Sequence, residues 1–117
     1  MELPALIATL RNALESGTVV QLREQLDDVH PADLASALVE FAPNDLWTLL
    51  TVLPRAEQAE VFGYLPAEEQ VSLSISISRR KLAPIIRQMS SDERADLFNR
   101  LSDEQRETLL PALAQAE

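Results

Sequence analysis

The chain has 117 residues, room for one domain and not for two, and its 46% apolar and 25% charged residues are a folded globular balance. The absence of Cys excludes disulfides, zinc knuckles and thiol chemistry, two glycines exclude a glycine-rich phosphate loop, and 4% aromatics exclude a base-stacking surface. Nineteen acids against ten bases give a formal charge of -9, which repels nucleic acid and anionic membrane surfaces and favours cations and basic protein faces.

The first residues, Met1-Glu2-Leu3-Pro4, lack the basic and apolar segments of a signal peptide, and no apolar run is long enough to span a bilayer. Pro4 to Glu15 predicts a helix with Leu6, Ile7, Leu10 and Leu14 on one stripe, ended by Gly17. Thr18 is the expected cap of a second helix carrying Val19, Leu22, Leu26 and Val29.

From there a repeat organises the chain. Pro31, Pro43, Pro54, Pro66, Ser78, Ser90 and Ser102 follow one another at 12, 11, 12, 12, 12 and 12 residues. Proline suits a first helical turn because the N–H it lacks would be unpaired there, and serine suits an N-cap. Ser90 with Glu93 and Ser102 with Gln105 add capping boxes. Seven residues after each marker stand Leu38, Leu50, Val61, Leu73, Ile85, Leu97 and Leu109, all apolar. Unit ends carry Leu53, Leu65, Ile77, Met89, Leu101 and Leu113. A helix of about ten residues, ~15 Å long, is marginal alone and must bury its stripe on neighbours. The expectation is an all-α right-handed superhelix, or solenoid, of about nine short helices joined by one to three residues, filling residues 1–117 as a single domain. Val71 to Ser78 alternates as a strand would, but the repeat register runs through it and a lone strand has no partner, so it is read as helix.

No catalytic set is visible, and the chain is read as a non-enzyme. His30, the single histidine, stands before Pro31, where capping and packing explain it. Asp92 and Asp96 are four apart on one helical face, with Glu93 beside them, and Glu60 holds the place in its unit that Asp96 holds in its own. Their mutual repulsion would be relieved by a divalent cation. The alternative is ordinary helix-dipole compensation, which also explains Asp33, Asp45, Glu57, Glu68, Glu69, Asp103 and Glu104 in first turns. Arg79-Arg80-Lys81 with Arg87 is the one basic cluster, either a docking point for an acidic partner or a solvated helix start. Trp47 is either a partner anchor or core packing beside Leu46, Leu49 and Leu50.

His30-Pro31-Ala32-Asp33-Leu34, Thr48 through Pro54, Ala59-Glu60-Val61, Leu65 through Gln70, and Ser91-Asp92-Glu93-Arg94-Ala95-Asp96-Leu97 together resemble the amino-terminal cytosolic domain of MgtE magnesium transporters, over about residues 4 to 113. The resemblance implies a regulatory magnesium-sensing domain in the cytoplasm, belonging to an inner-membrane protein that is a homodimer when whole. Its partners would be CBS domains and a plug helix of the same polypeptide, and CBS and transmembrane domains are absent from this chain. It also implies Mg2+ at Glu60, Asp92 and Asp96, with Glu93 nearby, bound weakly by this domain alone. A second class, a protein–protein interaction scaffold related to flagellar motor switch domains, fits the same helical layout.

Overall fold

The computed structural model describes residues 2–107, with the Arg79 side chain left aside. The protein is all-α. Helices α1 (Leu3–Ser16), α2 (Leu22–Gln25), α3 (Pro31–Leu38), α4 (Pro43–Leu50), α5 (Arg55–Tyr64), α6 (Ala67–Ser76), α7 (Arg79–Gln88) and α8 (Ser91–Arg100) follow in order, with a 3-10 turn at Val19–Gln21 before α2 and a further helical stretch over 103–107. No strand occurs among the described residues.

The period is more regular than the sequence markers. Helices α3 to α8 begin at 31, 43, 55, 67, 79 and 91, and the next helical stretch begins at 103, a constant step of 12. The single 11-residue step between markers arises because Pro31 and Pro43 are the first helical residues, whereas Pro54 and Pro66 sit one place earlier as N-caps. Ser78 and Ser90 then take the N-cap place and accept bonds from the Lys81 and Glu93 amides. Both predicted capping boxes form, Ser90 with Glu93 and Ser102 with Gln105.

Packing runs between alternate helices. α1 lies on α3, α3 on α5 and α5 on α7, while α4 lies on α6 and α6 on α8. Two rows result, and the molecule measures 38 × 22 × 21 Å. The core lies where the stripes meet. Leu38, Leu50, Val61, Leu73, Ile85 and Leu97 are all buried, as are Leu53, Leu65, Ile77, Met89 and Leu101. Leu109 and Leu113 lie outside the described residues. Each fully buried large side chain stabilises the fold by about 1.5–3 kcal/mol relative to exposure.

Val71 to Ser76 is helix: Leu73 and Ser74 are buried, the Ser74 hydroxyl donates to the Gln70 carbonyl at 2.7 Å, and Ile75 faces solvent. Alternation here marks a helix whose serines point both inward and outward.

Two expectations are corrected. The second helix does not form as one piece. Thr18 makes no side-chain cap to it; its N–H closes the end of α1 on the Ala13 carbonyl, and its hydroxyl meets that of Ser16 at 2.8 Å. With Thr18 so used, and β-branched Val19 and Val20 following, the chain makes a 3-10 turn and one α-turn; Leu22 and Leu26 are buried and Val20 stays exposed. Gly17 does end α1, at φ 68°, the only positive φ among the described residues. The connections after α3 and α4 are four residues long rather than one to three, because those helices stop after eight residues; later connections have two.

Candidate functional site

One device repeats at the start of successive helices. Gln58 and Gln70, twelve residues apart, are both buried on inner helical faces. Gln58 Nε2 donates to the Leu53 carbonyl at 2.7 Å, and Gln70 Nε2 donates to the Phe62 carbonyl at 2.9 Å. Arg106 stands three repeats after Gln70 and donates through Nε to the Phe98 carbonyl at 3.0 Å, the same eight-residue step back that Gln70 makes. The Phe62 and Phe98 carbonyls also accept from the Leu65 and Leu101 amides, so Gln70 and Arg106 add a second donor at those helix ends. The apolar and capping signals of the sequence did not single them out.

Gln70 continues the network: its Oε1 accepts a bond from Arg100 of α8. The end of α5, the start of α6 and the end of α8 are thereby tied together. Between them lies a small cleft of about 70 Å3, lined by Gly63, Gln70, Met89, Glu93, Asp96 and Arg100.

This cleft locates the four candidate carboxylates. Asp92, Glu93 and Asp96 occupy the first turn and a half of α8, all exposed. Glu93 and Asp96 line the cleft. Glu93 is already engaged, since its Oε1 accepts from the Ser90 amide at 3.3 Å. Glu60 is exposed on α5, one turn before Gly63 and on the same helical stripe. Among the described residues none of Glu60, Asp92 and Asp96 pairs with a basic side chain, and no three carboxylate or histidine groups come close enough to enclose a metal ion. The fold presents hard oxygen donors to solvent as separate ones and pairs, the chemistry a hydrated magnesium ion accepts, and not as a closed cage.

The remaining candidates resolve simply. His30 is the N-cap of α3: its Nδ1 accepts from the Ala32 amide at 3.0 Å, and its ring meets Tyr64 edge-on at 5.8 Å. Trp47 is half-buried on α4, in the wall of a separate open groove. No helix among the described residues is long and apolar enough to cross a membrane.

The sequence model of the MgtE intracellular N domain matches residues 29–117. The chain belongs to this family. It is 40% identical over 65 residues to the magnesium transporter MgtE of Thermus thermophilus, covering 56% of this chain and 14% of that protein. Its fold matches the cytosolic domain of the Mg2+ channel MgtE, solved in complex with ATP, with a TM-score of 0.70 and 29% identity, covering 94% of this chain and 48% of that one. The chain thus spans a small part of the MgtE transporter and about half of the solved cytosolic domain. The family is the intracellular N domain of MgtE, and the matched relatives are described as a magnesium transporter and as the cytosolic domain of a Mg2+ channel.

Proposed function

We propose that this N domain senses magnesium and regulates the pore of the transporter to which it belongs. Its unpaired carboxylates, Glu60 on α5 and Asp92 and Asp96 on α8, are half-sites. The other halves lie on the CBS domains and plug helix of the same polypeptide, which is homodimeric when whole. Without ions the facing acidic surfaces repel. A divalent cation shared between them reverses the sign of that interaction and draws the domains into a closed arrangement. The ion shifts the equilibrium only by its differential affinity for that arrangement. Glu93 positions the site, because its carboxylate holds the α8 capping box beside Asp92.

The observation that carries this reading is that, among the described residues, Glu60, Asp92 and Asp96 have no basic partner, in a chain of formal charge -9. The test is magnesium titration of the isolated chain, followed by amide chemical shifts and calorimetry. Shifts confined to residues around Glu60, Asp92 and Asp96, at millimolar ion and without a tight calorimetric isotherm, are expected. Tight stoichiometric binding, or shifts centred elsewhere, would overturn it.

A further inference from the structure

Arg100 is the last residue of α8, one turn after Asp96, and both line the small cleft together with Gln70 and Glu93. An acid four residues before a base on a helix is the favourable order for an ion pair. Among the described residues Asp96 and Arg100 nevertheless form none. The guanidinium donates instead through Nη1 to Oε1 of Gln70, on the neighbouring helix α6.

Gln70 has only that oxygen to offer. It is 2% exposed, and its Nε2 faces two carbonyls, Phe62 at 2.9 Å and Gly63 at 3.4 Å. Carbonyls only accept, so the amide nitrogen belongs on their side and the oxygen on the other. A turned amide would set oxygen against two oxygens and NH2 against a guanidinium. The buried amide is therefore a fixed acceptor for a cation. The repeat supplies a comparison. Gln58 makes its own carbonyl bond one unit earlier, but the places twelve residues before Arg100 and Asp96 hold Gln88 and Pro84. The glutamine thus meets its carbonyl without an arginine, and the arginine comes with the acid.

We propose that Gln70 is a positioning residue of the ion half-site: by holding Arg100 it keeps the guanidinium off Asp96 and leaves that carboxylate open to a divalent cation. This rests on the magnesium-sensing reading above. An arginine paired with Asp96 would occupy a carboxylate oxygen and set a positive charge where the ion must come, so ion and guanidinium exclude each other. A surface pair at this spacing is weak, enough to lower the apparent ion affinity about twofold, and the like charge beside the ion adds to that. The neutral Gln70 oxygen takes the guanidinium without using up a carboxylate.

The experiment titrates the chain with magnesium chloride and follows the Asp96 carboxylate carbon shift in the wild type, Gln70→Leu, Arg100→Gln and the double variant. Gln70→Leu should weaken the Asp96 response about two- to threefold. Adding Arg100→Gln should recover it without recovering the thermal midpoint that Gln70→Leu lowers, whereas a purely structural role for Gln70 predicts that both stay lost. Arg100→Gln should strengthen binding less in the wild type than in the Gln70→Leu background. An ion-free measurement needs only exposed positions: Asp96→Asn and Arg100→Gln should shift the wild-type thermal midpoint additively, because no pair links them. A departure from additivity of about 2 °C or more would reveal the pair and overturn the proposal. So would a magnesium response at Asp96 that Gln70→Leu leaves unchanged, or one that Arg100→Gln does not recover. No response at Asp96 in the wild type would overturn the sensing reading, and this proposal with it.

Discussion

Gly63 on α5 and Glu93 on α8 stand so close that a methyl group added at Gly63 would lie 2.7 Å from Glu93 Oε2. The same Glu93 carboxylate closes the α8 capping box through its other oxygen. The small residue at 63 therefore leaves room for the group that starts α8, and through it for the placement of Asp92 and Asp96.

This contact predicts a coupling. Alanine is worth about 1 kcal/mol more than glycine inside a helix, and a lost cap costs about as much. Gly63→Ala alone should change stability by less than about 0.5 kcal/mol, because the helix gain is offset by displacing Glu93. In a Glu93→Ala background the same substitution should stabilise by about 0.5–1 kcal/mol. Urea unfolding of the four proteins checks this, and an equal gain in both backgrounds refutes the coupling.

Gln70 joins three helices through its amide. Gln70→Leu removes the second donor to the Phe62 carbonyl, which keeps the Leu65 amide, together with the acceptor of Arg100. A cost of about 1–3 kcal/mol is expected, against less than about 0.5 kcal/mol for exposed Gln25→Leu. Chemical denaturation with matched m-values tests the difference.

His30 accepts a bond as the α3 cap and does no chemistry in this account. His30→Ala should cost about 1 kcal/mol, and His30→Asp should retain most of it, since aspartate is a strong N-cap. Equal loss in both variants would show that the Tyr64 contact, and not the cap, carries the effect.

Asp92 and Asp96 should respond with opposite signs despite their shared face. Asp92 lies in the first turn of α8 and is favoured by the helix dipole; Asp96 lies a turn later, beyond most of the dipole's reach, repelled by Asp92 and forming no ion pair with Arg100 four residues on among the described residues. Asp92→Asn should destabilise by about 0.3–1 kcal/mol, and Asp96→Asn should stabilise by about 0.2–0.5 kcal/mol at low salt. Both effects should shrink at high salt, which thermal melts at two ionic strengths would reveal.

Much of the fold was legible because it repeats. The buried positions seven residues after each marker, and the serine caps, rest on local rules that act the same way in every unit. Where no repeat supports it, as at Thr18, one residue had two possible jobs and the local pattern did not decide between them. Gln58 and Gln70 recur at the twelve-residue period, yet stayed hidden because the apolar and capping patterns give no weight to a polar amide; its value lies in carbonyls that only the folded chain brings near. The candidate carboxylates were legible as residue types, yet their availability depended on tertiary facts: Glu93 is tied to Ser90, while Glu60, Asp92 and Asp96 are not paired with any basic side chain among the described residues.

The most direct test of magnesium sensing is docking of this domain to the CBS domains that the proposed function assigns as its partners, measured by sedimentation velocity across zero to millimolar magnesium. The account predicts association that appears only with the ion and is lost in Asp92→Asn/Asp96→Asn, whose isolated fold remains intact. Association that is independent of magnesium, or unchanged in that double variant, would contradict it.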